Sequence, residues 1–257
     1  MIRQFVFSPT GGTASACAFL TEGLRRGDEE VQVLDLTDTE CDFSRVEVSE
    51  DDVCVVAMPC FGGRVPQVAL ERMGLVAGNG CAAVALVSFG NRAIDDGLLE
   101  LCDALAAAGF VCTAGVAAVT EHSLARQFGS GRPDETDAES LRACGARIAK
   151  KIEAGVTSIA AEIPGARPYK KFGGVPIAPH ARKGACTGCG ACARSCPVGA
   201  IDAQKPWETN ADACISCMRC VKFCHTGARH VSGLKLFAVA RKLAKVASGR
   251  KDNELFL

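Results

Sequence analysis

Two groups of four cysteines are the residues best equipped to do chemistry. Cys186, Cys189, Cys192 and Cys196 follow C-x2-C-x2-C-x3-C, and Cys214, Cys217, Cys220 and Cys224 repeat that spacing 28 residues later. A tight loop of this kind offers three thiolates to one [4Fe–4S] cluster, while the fourth cysteine of each run reaches across to the other cluster. The spacing therefore predicts two crossed ligand sets: Cys186, Cys189, Cys192 and Cys224 for one cluster, and Cys214, Cys217, Cys220 and Cys196 for the other. Zinc sites built from C-x2-C pairs have no use for the third step or for the C-x3-C tail.

An iron–sulfur cluster moves one electron at a time, at a potential set by charge, hydrogen bonds to sulfur and exposure. Residues 185–232 are expected to form a small α+β domain of the bacterial two-cluster ferredoxin type. The two halves of its repeat differ after the fourth cysteine: Pro197 in CPVGAI, His225 in CHTGAR. An imidazole there either donates a hydrogen bond near a cluster sulfur, tuning its potential and making it pH-dependent, or is a tolerated substitution. A short insert between the halves, Lys205 to Glu208, holds the only tryptophan, Trp207.

The elements in front of this region form a different pattern. Ile2–Phe7, Val31–Leu36, Val53–Met58, Cys81–Ser88 and Val111–Val119 read as strands, and the apolar run VCVVAM suits burial on both faces of a parallel sheet. Helical patterns span Ala14–Arg26, 67–77, Ile94–Ala108 and Asp137–Ala154. Alternation of this kind over residues 1–156 predicts an α/β, doubly wound, five-stranded parallel sheet. Ligands of such sheets sit beyond the carboxyl ends of the strands, at the switch point. Three loops converge there. Ser8, Thr10, Gly11, Gly12 and Thr13 make a Gly/hydroxyl turn leading into a helix, the geometry of a phosphate cradle. Cys60, Phe61, Gly62, Gly63 and Arg64 form one wall, and Phe89, Gly90, Asn91 and Arg92 another. Neither a P-loop lysine nor G-x-G-x-x-G is present.

Ser8-Pro9-Thr10-Gly11-Gly12-Thr13 resembles the flavodoxin phosphate loop T/S-x-T-G-N-T, with Gly12 in place of the usual asparagine. With PCFGGRVP, FGNRAIDD and EHS at the matching places, essentially the whole chain resembles the bacterial and archaeal EFR-family ferrodoxins, fusions of a flavodoxin-like domain to a two-cluster ferredoxin domain. Phe61 stands where many relatives have tyrosine. The resemblance implies FMN as a third redox group, with its phosphate on Ser8–Thr13 and its isoalloxazine ring between the loops at 60–64 and 89–92. It implies an electron-transfer iron–sulfur flavoprotein. The alternatives are a reductase acting on a small substrate, and a flavin-free, cluster-based sensor or binding module.

The remaining sequence sets limits. Residues 157–184 form a Pro/Gly-rich basic linker (Pro164, Pro168, Pro176, Pro179, Gly165, Gly173, Gly174), and 233–257 a basic helix and tail with Leu234, Phe237, Leu243 and Val246 as its apolar side. Residues 1–156 hold 13 Lys+Arg against 23 Asp+Glu, and 157–257 hold 16 against 6. Opposite halves of this kind attract each other or steer charged partners. The basic residues lack interleaved aromatics, which argues against nucleic acid. The other eight cysteines (Cys17, Cys41, Cys54, Cys60, Cys81, Cys102, Cys112, Cys144) lie mostly in apolar runs, as small buried hydrophobes of a reducing compartment. Cys60 invites a redox role, but Arg64 is the one cation near it in sequence. His122 and Ser123 follow strand five, away from the expected switch point, so packing or capping is their expected role. No signal-peptide order and no apolar run of the ~18 residues a span needs are visible, so a cytoplasmic protein serving soluble redox partners in an oxygen-poor cell is expected.

Overall fold

The computed structural model describes residues 1–159, 161–172 and 177–257. Gly173, Gly174 and Pro176 of the linker lie outside the described residues. The first domain runs β1 (Ile2–Val6), α1 (Gly12–Leu24), β2 (Val31–Asp35), β3 (Val53–Pro59), α2 (Gln67–Met73), β4 (Ala82–Phe89), α3 (Gly97–Ala107), β5 (Val111–Val119) and α4 (Glu135–Glu153). β3 and β4 are the central strands, and nearly every residue in them is buried. Their uninterrupted apolar runs can be satisfied only with helices on both faces. α1 and α4 cover one face, with Leu20, Leu24, Leu141 and Ile148 in its core. α2 and α3 cover the other, with Ala69, Met73, Leu98, Leu101 and Leu105 against Phe5 and Phe7. Glycine lets α1 and α4 touch: a Cβ on Gly23 would stand 1.9 Å from the carbonyl oxygen of Arg142.

The sheet order is β2-β1-β3-β4-β5, all parallel. This is the flavodoxin-like winding, with its switch point between β1 and β3. The sheet has a sixth strand, however. β8 (Glu254–Phe256) returns from the far end of the chain and pairs antiparallel with β5 through Gly115–Phe256, Val116–Leu255 and Ala117–Glu254. The expectation of five strands, and of 233–257 as a separate tail, is corrected by this return. A three-residue strand flanked by Lys251, Asp252 and Asn253 has too short an apolar run to signal itself.

Linker and tail are fastened to the first domain. Ile159 and Ile163 pack on its core. Arg167 bonds Asp103 at 2.8 Å and the Tyr169 hydroxyl donates to the same carboxylate. Downstream, β6 (His180–Ala181) and β7 (Arg229–His230) make a small antiparallel ladder around two one-turn helices, α5 (Ala191–Arg194) and α6 (Arg219–Lys222). α7 (Gly233–Leu243) follows. Its packed side is Leu236 and Val239, against Ile177, Met218 and Val231. Leu234, Phe237 and Val246, expected as its apolar side, are exposed. Among the described residues no helix is long and apolar enough to cross a membrane.

Candidate functional site

The loops after β1, β3 and β4 meet, as the winding requires, in an open cleft. Thr10, Gly12, Thr13, Cys60, Phe61, Gly62, Phe89 and Gly90 line it. α1 starts at Gly11, which holds φ 100°, with no side-chain cap. The Ser8 hydroxyl accepts the Ala14 N–H at 3.0 Å. The backbone N–H groups of Thr10, Gly11, Gly12 and Thr13 meet no acceptor among the described residues. Unpaired donors at the start of a thirteen-residue helix suit a phosphate. The Thr13 hydroxyl pairs with that of Ser88 at 2.8 Å, tying the cradle to the end of β4. A Cβ on Gly12 would stand 3.1 Å from the Thr120 Cβ, so the space an asparagine would need is already occupied. The unpaired amides and the Phe61 and Phe89 walls fit the phosphate and ring of an FMN.

Other residues named from the sequence lie elsewhere. Gly63 turns toward the Asp95 carboxylate and the Lys170 ammonium. Asn91 is buried and donates to the carbonyls of Ala247 (2.6 Å) and Gly249 (2.7 Å), so it clamps the C-terminal tail instead of lining the cleft. Arg64 is neither a cofactor contact nor a loose surface charge. It forms a two-point pair with the buried Glu100 and donates to the Lys170 carbonyl at 2.7 Å. Arg92 pairs with Asp95. Burial pushes the Cys60 thiol up to about 11, and its S–H points at the Ile94 carbonyl, 3.3 Å away. It is a protonated packing residue, not a nucleophile.

Several lining residues escaped the sequence reading: Ser88, the run Thr120–Leu124, and Ile215 and Ser216. The expectation that the loop after β5 lies away from the site is wrong. Thr120 N–H bonds the Phe89 carbonyl at 2.9 Å, which folds that loop over the cleft. The capping role expected of His122 does hold. Its Nδ1 accepts the N–H groups of Leu124 and Ala125, both at 3.2 Å, and burial lowers its pKa. Its ring packs on Gly90, where a Cβ would be 2.7 Å away.

Ile215 and Ser216 come from the second cysteine run, and they bring it to the cleft. Ser216 N–H points at the Cys214 sulfur (3.4 Å), and its hydroxyl donates to the Ile177 carbonyl (2.9 Å). Ile215 packs on the first domain's core. The contact is completed by Arg72, which donates to the Pro197 carbonyl at 2.7 Å, and by Arg219, 3.7 Å from Asp35. That pair is the one recorded ion pair between 1–156 and 185–232 among the described residues, fewer than the charge imbalance suggests.

The cysteines of the second set surround one space. Cys196, Cys214, Cys217 and Cys220 all border one small cavity, together with Pro197, Ile201, Met218 and Arg219. Among the described residues no three His, Cys, Asp or Glu side chains converge tightly enough for a single ion. A shared space bordered by four sulfurs is what a polynuclear cluster calls for. The buried cations agree. Arg229 is 2 % exposed and meets no carboxylate among the described residues: it bonds the carbonyls of Pro206 (2.5 Å) and Pro179 (2.9 Å), the Thr209 hydroxyl, and the Cys192 sulfur at 3.7 Å. Its Nε and that of Arg219 have no hydrogen-bond partner among the described residues. A buried guanidinium without a carboxylate is costly unless an anion stands nearby, and a four-thiolate cluster is one. Burial pushes the Cys217 thiol up to about 12 and Cys220 up to about 11, so an ionised sulfur there would need a bound metal centre to hold it. In the other set, Cys224 accepts the Arg229 N–H at 3.4 Å, and the His225 Nδ1 lies 3.9 Å from the Cys189 sulfur.

Residues 185–228 match the family model described as a 4Fe-4S dicluster domain. The chain joins a flavodoxin-like fold to a 4Fe–4S dicluster domain. No curated protein matches the chain. Among solved structures it is similar to the rubredoxin oxygen:oxidoreductase of Desulfovibrio gigas (17 % identity, 60 % of this chain and 36 % of that one, TM-score 0.44). It is also similar to the Streptococcus pneumonia TIGR4 flavodoxin (20 %, 61 % and 100 %, 0.39) and to the Megasphaera elsdenii flavodoxin (14 %, 58 % and 99 %, 0.40). The match spans about a third of the Desulfovibrio protein's length.

Proposed function

We propose that this protein is an electron-transfer iron–sulfur flavoprotein. FMN would occupy the cleft, and single electrons would pass between it and two [4Fe–4S] clusters. The observation that carries the reading is the presence of Ile215 and Ser216, from the Cys214–Cys220 loop, in the lining of the same cleft as the phosphate cradle and Phe61 and Phe89. Bound flavin supplies one- and two-electron chemistry and the clusters one-electron chemistry, so together they interconvert single and paired electrons. The chain's own part is placement. The amides of Thr10–Thr13 take the phosphate, and Phe61 and Phe89 flank the ring. Ile215 excludes water where the second cluster loop meets the ring. The thiol of Cys60 stays protonated and out of the chemistry. The rivals named above differ at the flavin: a reductase needs an open face above the ring, which is where Ile215 and Leu124 stand. Anaerobic reconstitution followed by iron, sulfide and flavin counts tests the reading. About eight irons, eight sulfides and one FMN are expected; intact clusters without flavin would refute it.

A further inference from the structure

The internal repeat lets the surroundings of the two ligand sets be compared position by position. Cys217, its neighbours Ile215 and Met218, and Cys220 face the first domain or the interior. Of their counterparts one repeat earlier, Thr187 and Cys189 are exposed, whereas Gly190 and Cys192 are buried. Cys189 is the only one of the sixteen cysteines that is exposed. The charges next to it in the chain have one sign, while Lys183 also lies over the Trp207 ring, 5.2 Å from its centroid, and Trp207 Nε1 donates to Glu208. Arg182 and Lys183 form the turn directly before Cys186, whose N–H bonds the Arg182 carbonyl at 3.0 Å. Arg194 folds back to donate to the Cys189 carbonyl at 3.0 Å. His225 reaches the Cys189 sulfur. All four side chains belong to exposed residues. Stretches 182–201 and 219–230, which contain six of the eight ligand positions between them, hold no aspartate or glutamate; Cys214 and Cys217 lie between the two stretches.

We propose that the cluster of Cys186, Cys189, Cys192 and Cys224 is the outer one, and that an acidic one-electron carrier protein docks over Cys189 on the cationic edge formed by Arg182, Lys183 and Arg194. This rests on the electron-transfer reading and adds the order of the centres and the chemistry of the partner. A thiolate ligand at the surface shortens the path to an external centre, and a one-signed rim speeds and orients encounter with a carrier of opposite charge. The step is a single-electron exchange: the carrier loses one electron, the outer cluster gains one, and no bond or proton moves. The reverse step uses the same surface.

The test uses the full chain, loaded anaerobically and assayed first for iron and FMN. Loss of either count at that stage refutes the electron-transfer reading itself, before any partner is added. Binding of an oxidised, acidic plant-type [2Fe–2S] ferredoxin is then followed by calorimetry at about 20 mM and about 300 mM ionic strength, and electron transfer by stopped flow with the same ferredoxin reduced beforehand by dithionite and freed of excess reductant. The parent's Kd is expected to rise about tenfold or more with salt. Lys183→Glu/Arg194→Glu is expected to weaken low-salt binding about tenfold, leave high-salt binding alone, and preserve the iron count. Arg45→Glu, an exposed charge on the first domain, is expected to change neither. Should the double variant lose iron, Arg182→Glu, which touches no ligand side chain, takes its place. Salt-independent binding, equal effects of Arg45→Glu and the edge variants, or tighter binding of a basic cytochrome c would each overturn the proposal.

Discussion

Cys189 and Cys217 hold the same place in two copies of one motif, yet one is exposed and the other is 8 % exposed. The difference is made by the residues between the cysteines. The first copy uses glycine at both left-handed positions, Gly188 (φ 71°) and Gly190 (φ 70°). The second puts Ser216 (φ 55°) and Met218 (φ 63°) in the same conformation. A side chain there costs roughly 1–2 kcal/mol. The second copy tolerates that cost because its side chains do work at an interface: Ser216 bonds Ile177, Met218 joins a small core, and Ile215 packs on the sheet domain. The first copy keeps glycine: a Cβ on Gly188 would meet nothing within 4 Å among the described residues, and one on Gly190 would stand 3.0 Å from the Arg194 guanidinium. Inner and outer halves of a symmetric motif are thus told apart by where strain is accepted.

The largest expected effect follows from removing a ligand in each half. Cys217→Ser and Cys189→Ser should each lower the iron count, by about half if one cluster is lost. An acidic carrier enters at Cys189 and should reduce the flavin more slowly in both variants, but with a small one-electron donor only Cys217→Ser should slow flavin reduction at least about tenfold, because the inner centre is the one beside the cleft. Equal slowing in both variants with the small donor, by stopped-flow absorbance, would erase the distinction between the halves. Next in size, Ile215→Asp sets a charge against the flavin cleft and should weaken FMN binding about tenfold or more, whereas Thr187→Asp at the matching outer position should not. Fluorescence titration of the two variants decides it. Met218→Gly removes packing and should destabilise by roughly 2–4 kcal/mol despite relieving a left-handed residue. Gly190→Ala should cost only about 1 kcal/mol, both read by chemical denaturation.

How much of this was legible in the sequence depends on the range of the forces involved. The cysteine spacing and the strand–loop–helix alternation are local, and the parallel sheet and its cleft followed from them. What escaped came from contacts between distant segments. Asn91 looked like a ring-binding residue, because nothing in FGNR reveals that carbonyls at 247 and 249 will claim its side chain. The loop after β5 reached the cleft through one backbone bond to Phe89. Ile215 was visible as an apolar residue between two ligands, but its neighbour across the interface was not. The smallest predicted effect concerns that same loop. His122 is buried with a lowered pKa, so between that value and 6.5 the unfolded chain binds a proton the folded one does not. Its contribution to stability is therefore complete above pH 6.5 and declines as the pH falls below it, with a slope of at most about 1.4 kcal/mol per pH unit. His122→Gln should flatten that part of the denaturation profile and leave the cluster signals unchanged.

β8 gives the molecule a topology that neither half has alone. The chain leaves the sheet domain after α4, builds the dicluster region, and comes back to hydrogen-bond β5, held on the way by Asn91 and by Arg250 on Asp134. The dicluster region is therefore a loop anchored at both ends, not a bead at the end of a string. A single proteolytic cut in the linker leaves it attached through the returning strand. Exchange of dicluster regions between molecules requires two releases at once. With both ends anchored on the sheet domain, the inner cluster loop meets its own cleft at an effective concentration that dilution cannot change.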